Sequence, residues 1–453
     1  MFNLSSEFNR FYKQNVVLPG DKQTDLFDKG KLNVKRLKEG LSIYNEKYKT
    51  SYKVCERIVQ GSMAMSTAVQ NDSKDYDIDI AIIFSKDNIG DLGPQAIKNV
   101  IAEALSSKCG QFSSKPEKKT NCVRIKYSEG YHIDFAIYRK DVDYLGTATY
   151  YHAGSDWTKR DPKAINDWFR DKIGIYGQNL RKVIRLSKMF CKSRDSWDMP
   201  GGLIQTVLCV EQFQNAERLD ECFYKTMCRV RDRLRWNMSI DNPTDSTISL
   251  LQTEAHKQRI NTYYNRLSSY LSKLEVLKED SCTREQAISA WSEFFNHDYW
   301  SNLLTESSTK MFALESRRVQ DEVLFNDTEQ LIEDRMQIIE RYDASITATA
   351  RGNGFSDNPL SYFINNFKML PHNFSITFTC NHNVPGEVEY YWKVKNVGKV
   401  AEEKNCIRGQ VVRRSKTITE NSNFYGPHYV ECYVVKHGVC VARARISVPI
   451  GDK

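Results

Sequence analysis

The chain has 453 residues, a formal net charge of +8 and 27% charged residues, and its mean hydropathy is -0.57. No apolar run approaches the roughly 20 residues of a membrane-spanning helix, and the N-terminus lacks the apolar core of a signal peptide. These features exclude a membrane-spanning protein and predict a cytoplasmic one, whose length suits about three domains.

The first elements along the chain are two predicted helices, followed by a mixed unit of strands and helices. From about residue 54 to 139 the pattern is a strand, a Gly-Ser helix, an acidic strand, a helix, a strand and a second acidic strand. A turn at Glu129-Gly130 predicts antiparallel pairing of the last two strands. We therefore predict an α+β catalytic lobe over residues 1–160 that includes the N-terminal helices.

The segment Gln60-Gly61-Ser62 opens a short predicted helix that runs to Thr67. Backbone N–H groups at such a turn, together with a hydroxyl, are suited to binding phosphate oxygens. We predict that Gln60, Gly61, Ser62 and Thr67 bind the phosphates of a nucleotide.

Two carboxylates share one face of the first acidic strand, because side chains two residues apart in a strand point the same way. They are Asp77 and Asp79. Asp75 has the same parity, so Asp75 with Asp77 is an alternative pair. The apolar run that begins at Ile78 favours the later pair, because an unpaired carboxylate in a buried strand is costly.

A third carboxylate, Asp134, lies in the middle of the second acidic strand. Carboxylates that lie close together require a cation, and Mg²⁺ or Mn²⁺ prefers such oxygen ligands. A pair of these ions clamps the attacking and leaving oxygens of a phosphoryl displacement. We predict that Asp77, Asp79 and Asp134 are the catalytic, metal-binding triad for two ions.

The next segment has helical spacing, which predicts a helical substrate-binding lobe over residues 161–343. In its helix over 179–190, Arg181, Arg185 and Lys188 lie near one face. Positive charge there suits a triphosphate, whose negative charge increases in the transition state. We predict that Arg185 and Lys188 bind nucleotide in a cleft between the two lobes.

The last part of the chain changes character. A small, polar and Gly-containing stretch predicts a linker over residues 344–371. Five segments of strand-like alternation follow and predict a small β-sandwich over residues 372–453. Basic and aromatic residues alternate around Trp392, a pattern typical both of an RNA-binding surface and of a solvated face over a buried tryptophan.

The motifs together resemble a known family. The Gly61-Ser62 turn and the strands of Asp77, Asp79 and Asp134 are similar to the polymerase-beta-like nucleotidyltransferases. More narrowly, they resemble the bacterial CD-NTases of the SMODS, or cGAS/DncV-like, type. The connector after the third acid and the basic helix are also similar to this family.

One position departs from the family pattern. Gly201, in the segment Met199–Leu203, stands where the family has a serine, which removes one hydroxyl contact to the phosphates. The resemblance implies a cyclic di- or trinucleotide synthase that joins ATP or other nucleoside triphosphates and releases pyrophosphate. It implies that Asp77 and Asp79 hold both ions, that Asp134 holds one, and that the product is a second messenger in anti-phage (CBASS) defence.

The C-terminal part resembles the adenylyl/guanylyl and SMODS C-terminal sensor domain, through the segment Tyr391–Gly398 and the pair Arg408-Gly409. This resemblance implies an RNA or small-ligand activator that acts through this domain. It also implies a downstream effector that the cyclic nucleotide activates, with no membrane partner.

Two other functions are compatible with the same residues. One is the addition of nucleotides to an RNA or a protein by the same metal site. The other is a catalytically silent sensor of nucleotide or RNA. The intact triad argues against the silent sensor, because three carboxylates without a cation repel one another.

Overall fold

The computed structural model describes residues 1–70, 76–108, 110, 115–313, 329–352, 354–397, 400–401 and 406–451, with only the backbone for 306–313. The chain forms two compact units that divide between residues 318 and 319. Asp75, the alternative metal ligand, lies outside the described residues. None of the described helices has the length and apolar character that crossing a membrane requires.

The first unit begins with two helices joined by a π-helical turn, and a region of mixed strands and helices follows. The elements are α1 (Ser5–Phe11), the π-turn (Tyr12–Val16), α2 (Gly20–Tyr48), β1 (Glu56–Val59), α3 (Gly61–Ala64), β2 (Asp77–Ser85), α4 (Lys86–Ile89), α5 (Pro94–Ser106), β3 (Glu117–Lys118), β4 (Val123–Lys126), β5 (His132–Val142), β6 (Ala148–Ala153) and β7 (Trp157–Lys159).

A mainly helical region completes this unit. Its elements are α6 (Ala164–Tyr176), α7 (Gln178–Cys191), α8 (Gly202–Gln212), α9 (Leu219–Trp236), the hairpin β8 (Asp241–Asn242) and β9 (Asp245–Ser249), α10 (Glu254–Lys273), a 3-10 turn (Leu274–Lys278), α11 (Arg284–Phe295) and α12 (Asp298–Ala313).

The sheet of the first unit has the strand order β1-β2-β5-β4-β3, and β6 and β7 extend it from β5. Strands β2 and β5 are parallel, and β4 pairs with β5 in the predicted antiparallel sense. Helices α2 and α5 share a buried apolar core with the face of β2 that carries Ile78, Ile80 and Ile82. Asp77 and Asp79 therefore lie on the opposite face.

Helix α1 packs differently from its prediction, because its aromatic side chains belong to the helical region. The ring of Phe8 lies 4.8 Å from that of Trp291 and 6.0 Å from that of Phe223, and all three are buried. Helix α2 does pack on the sheet, with Leu37 and Leu41 in its core. Helix α1 therefore packs in the core of the helical region, and α2 packs in the core of the sheet.

The second unit consists of two sheets. Its elements are a 3-10 turn (Ile332–Asp334), β10 (Gln337–Ile338), β11 (Ala344–Gly352), β12 (Phe355–Pro359), α13 (Leu360–Phe367), β13 (Ser375–His382), β14 (Glu389–Lys395), β15 (Arg408–Arg414), β16 (Thr417–Asn421), β17 (Gly426–Lys436) and β18 (Val439–Ile450). The sheets have the strand orders β10-β18-β17-β14-β15 and β12-β11-β13-β16. Apolar side chains from both sheets form one buried core, so the predicted sandwich and the α+β class are confirmed.

The predicted linker over residues 344–371 is wrong. Strand β11 begins at Ala344 and pairs with β13 as far as Arg351, and β12 and α13 follow it. Within β11, Ala348 and Ala350 are buried and Thr347 and Thr349 are exposed. The alternation was hard to recognise because the buried positions carry alanine instead of the large apolar side chains that are typical of a strand. The sandwich therefore includes the segment that was assigned to the linker.

Candidate active site

The three predicted acids meet near the N-terminal ends of β2 and β5, two neighbouring inner strands of the sheet. Asp79 lies opposite Asp134 in the parallel register of β2 and β5, and Asp77 is two residues earlier on the same face of β2. Asp77 is exposed, Asp79 is half-buried and Asp134 is buried. All three line a cavity of about 670 Å³ within the first unit.

The negative charge at these strand ends favours a bound cation. Burial and the neighbouring charges of Asp77 and Asp134 raise the pKa of Asp79 to about 7. A divalent ion that lies among three such oxygens would relieve both the repulsion and the loss of solvation. The donor set therefore fits Mg²⁺ or Mn²⁺, and Asp77, Asp79 and Asp134 are the residues that would hold it.

Arg124 supplies positive charge at the same place. It lies directly across from Asp134 in the antiparallel register of β4 and β5. Its Nε and Nη2 atoms donate to the two carboxylate oxygens of Asp134 at 2.8 and 2.7 Å, and Nη2 lies 3.7 Å from Asp77 Oδ1. The triad is therefore not a preformed metal cluster as it stands, since no group of three His, Cys, Asp or Glu side chains among the described residues is already arranged to hold a metal.

The Gly-Ser turn contacts the acidic strand directly. The Gln60 N–H donates to the carbonyl of Asp79 at 2.8 Å, and its side chain donates to the carbonyl of Pro162 at 2.6 Å. Gly61 has a φ of 65°, and a Cβ atom there would lie 2.1 Å from Asp79 Oδ2. Both the conformation and the contact therefore require glycine.

Replacing Gly61 by alanine is expected to displace the Asp79 carboxylate and to lower nucleotidyl transfer by about 100-fold or more, because small misplacements of reacting groups are costly. Gly146→Ala is the matched control, since Gly146 also has a positive φ of 82° but nothing lies within 4 Å of its added Cβ. Steady-state rates and thermal unfolding are measured for both variants. Gly146→Ala reports backbone strain alone, and Gly61→Ala reports the strain together with the contact to Asp79. Equal loss in the two variants would contradict the expectation.

Arg181, Arg185 and Lys188, the basic residues predicted to share one face of α7, have different surroundings. Lys188 lines the cavity, and its Nζ donates to Thr67 Oγ1 at 2.7 Å. Burial and the nearby charge of Arg185 lower the pKa of Lys188 to about 7. Arg181 donates to the carbonyl of Met65, just after the Gly-Ser helix, at 3.3 Å.

The position of Arg185 does not support its predicted role in binding nucleotide. It is buried, it is absent from the described residues that line the cavity, and its guanidinium donates to the hydroxyl of Tyr12 at 2.7 Å. The predicted phosphate contact therefore has no basis in this placement. The helical spacing placed Arg185 and Lys188 near one face, but the packing directs only Lys188 to the cavity.

The other predicted nucleotide-binding residues do line the cavity. They are Gln60, Gly61, Ser62 and Thr67. Sequence reasoning missed Arg124 as a partner of the triad, and it also missed the cavity walls formed by Arg160 and Trp197. Arg160 lies in the connector after β7, and its charge lowers the pKa of Asp79 in opposition to the burial. Trp197 lies between α7 and α8, where no periodic pattern marks a residue as functional.

The pKa of Asp79 predicts how the stability of the metal-free protein depends on pH. The pKa of about 7 in the folded state lies above the ordinary 3.8, so between about pH 4 and 7 the folded state holds a proton that the unfolded state has lost. The contribution of Asp79 to the unfolding free energy should therefore fall as the pH rises from about 4 to 7 and stay low above 7.

Urea unfolding in EDTA across this pH range, on the wild type and on Asp79→Asn, isolates the effect as the difference between the two curves. Relative to the wild type, Asp79→Asn should have a higher free energy of unfolding at pH 8 than it has at pH 4. Parallel curves would contradict the assignment.

Two family models match the chain. Residues 55–138 match the nucleotidyltransferase domain that is described as "Cyclic GMP-AMP synthase DncV-like". Residues 326–451 match the "Adenylyl/Guanylyl and SMODS C-terminal sensor domain". The second match begins before the predicted linker, in agreement with the strands found there.

Known proteins resemble most of the chain. A cyclic GMP-AMP synthase from Escherichia albertii is 24% identical over 417 residues, which are 86% of this chain and 83% of the relative. The GTP-bound form of Vibrio cholerae DncV is similar with a TM-score of 0.52 and 17% identity, over 63% of this chain and 94% of that one. Escherichia coli DncV with 3'-deoxy GTP has the same score and identity, over 66% and 98%. These solved structures share the fold.

Proposed function

We propose that this chain, a bacterial CD-NTase with an adenylyl/guanylyl and SMODS C-terminal sensor domain, is a metal-dependent cyclic oligonucleotide synthase. It joins nucleoside triphosphates through phosphodiester bonds and releases pyrophosphate. Its product is a second messenger in anti-phage defence, and the C-terminal domain controls its synthesis.

The observation that carries this proposal is the meeting of three carboxylates with the Gly-Ser turn in one cavity. The triad provides oxygen ligands, and the turn holds Gly61 against Asp79 where phosphates approach. Lys188 and Thr67 line the same cavity from the side of the helices. Such a combination suits phosphoryl transfer, in which catalysis is mainly positioning and charge stabilisation.

In the proposed reaction, a ribose hydroxyl of one nucleotide attacks the α-phosphorus of another, a P–O bond forms, and the bond to pyrophosphate breaks. When bound, Mg²⁺ or Mn²⁺ supplies charge neutralisation for the attacking and leaving oxygens. Asp77, Asp79 and Asp134 would hold the ions beside these oxygens. Ser62 and the backbone at Gly61 bind the donor phosphates.

Lys188 acts on the outer phosphates. Its pKa of about 7 leaves the amine only partly protonated near neutral pH. An incoming triphosphate favours the protonated form, because a nearby negative charge raises the pKa of an amine. Substrate binding thereby increases the positive charge that faces the leaving pyrophosphate.

The test is synthesis by the purified full-length chain from the four radiolabelled nucleoside triphosphates, with Mg²⁺ or Mn²⁺ and with or without added RNA. Products are treated with phosphatase and separated by size. Small products that resist phosphatase support the proposal, and their labels identify the bases. Labelled, elongated RNA would instead show a tailing enzyme, and binding of nucleotides without any product would favour the silent sensor.

A further inference from the structure

The C-terminal unit has a cavity of its own. It measures about 430 Å³ and is lined by residues of both sheets, at the side where the edge strands β15 and β16 lie. Small-molecule sites measure about 300–1,000 Å³, so this cavity, which opens to solvent, is large enough for a small ligand.

The backbone beside the cavity is irregular. The register of β14 and β15 shifts between Lys393 and Lys395, which marks a bulge. Strand β15 then begins with Arg408 at a φ of 59° and Gly409 at 109°. A positive φ at a non-glycine residue is unfavourable, and both bulges and such strain concentrate at functional sites. The bulge thus lies between the pair Lys395–Arg408 and the pair Lys393–Val411, next to the cavity.

The cavity has an apolar wall and a polar rim. Ile376 and Phe378 of one sheet and Val394, Val430 and Val448 of the other form apolar parts of the wall. The rim carries the side-chain types that exchange hydrogen bonds with the edges of nucleobases, namely arginine, carboxylate and amide. These rim residues are Arg408, Glu420, Gln410 and Asn421, whereas the lining residue Asn396 is buried and donates to the carbonyl of Cys406.

One ion pair bridges the two sheets at the rim. Arg408 donates to both carboxylate oxygens of Glu420 at 2.6 and 3.1 Å. Arg408 belongs to the edge strand of the five-stranded sheet and Glu420 to that of the four-stranded sheet. The pair therefore places a donor and an acceptor side by side at the entrance.

The charge of the described lining does not favour a polyanion. Among the described lining residues, Arg408 and Glu420 are the charged ones and they neutralise each other. Burial lowers the pKa of His428, whose ring contacts Val397 N and the carbonyl of Phe424. A triphosphate or an RNA backbone would find no net positive charge here, whereas an uncharged planar ring would match both the wall and the rim.

We propose that this cavity binds one uncharged nucleoside, whose base lies against the apolar wall and exchanges hydrogen bonds with Arg408, Glu420 and the rim amides. This goes beyond the proposed function, because binding here does not require that the chain join nucleotides. It also identifies a neutral small molecule, rather than RNA, as the ligand of the C-terminal unit.

The test is isothermal titration of the full-length chain with guanosine, adenosine, cytidine and uridine in turn, without metal or triphosphate. At least one should bind with a Kd of about 100 µM or lower, the affinity expected for a ligand of this size. Glu420→Gln, which keeps the shape and removes the charge, should weaken that binding about tenfold. Val394→Trp should abolish it by filling the cavity, and circular dichroism checks that both variants fold.

Three results would overturn the proposal. They are no binding by any of the four nucleosides, binding that neither variant changes, and tighter binding of the matching triphosphate than of the nucleoside at this site. Asp79→Asn should bind the nucleoside as the wild type does, which separates this cavity from the active site. Since no step of the titration needs catalysis, an inactive protein that still binds would leave this inference standing.

Discussion

Asp79→Asn is expected to lower the rate of nucleotide joining by about three orders of magnitude. The substitution keeps the shape of the side chain but removes the charge at the centre of the triad, where Asp77 and Asp134 act on it. Bound metal contributes several kcal/mol of charge stabilisation in the transition state, and each 1.4 kcal/mol is about a factor of ten in rate. The measurement is the single-turnover rate of product formation at saturating Mn²⁺.

Asp141→Asn is the matched control for this substitution. Asp141 lies on β5, the strand of Asp134, but its carboxylate pairs with Arg139 at 2.8 Å and does not line the cavity. Its replacement should change the rate less than twofold. Synthesis by Asp79→Asn at the wild-type rate would place the chemistry outside the triad and refute the proposed mechanism.

Arg124→Met is expected to tighten binding of Mn²⁺ about tenfold. The guanidinium occupies both oxygens of Asp134 and also lies near Asp77, so an ion that uses Asp134 must first displace it. Hydrogen bonds between charged groups contribute about 1.5–3 kcal/mol, which sets the size of the change. In EDTA the same variant should unfold at a lower temperature, because three neighbouring carboxylates then lose their counter-charge.

Titration of Mn²⁺, followed by the paramagnetic resonance of the free ion, measures the affinity without relying on activity. Lys126→Met is the control, since Lys126 lies two residues further along β4 and pairs with Glu117 at 2.6 Å, outside the triad. Weaker Mn²⁺ binding by Arg124→Met would show that Arg124 supports the metal site instead of competing for it.

Much of the geometry of the candidate site was predictable, because a strand has a period of two residues. Asp77 and Asp79 had to share a face, and the apolar residues after them had to be buried. The Gly-Ser turn was recognisable because a turn that opens a short helix offers backbone N–H groups and a hydroxyl to phosphate. These inferences depend on local geometry, which a few neighbouring residues determine.

The parts that failed depend on register and packing. Arg124 and Asp134 lie opposite each other only for one alignment of β4 with β5, and a shift by one residue would turn Arg124 to the other face. Arg185 and Lys188 lie near one face of α7, yet Arg185 donates a hydrogen bond to the hydroxyl of Tyr12 in the N-terminal π-turn. Tyr12 and Arg185 are 173 residues apart in the chain, so the spacing of residues within α7 cannot predict their contact.

By itself, the sequence determined the acidic strands, the helical segment and the alternating C-terminal strands, since each follows from side-chain periodicity. It also determined the glycine turn, which follows from the local preferences of glycine and serine. Only the tertiary structure decided that Arg124 neutralises Asp134, that Lys188 rather than Arg185 faces the cavity, and that β11 belongs to the sandwich. Local preference selects the elements, but their registers and neighbours are selected by the burial of apolar faces against one another, which involves residues far apart in the chain.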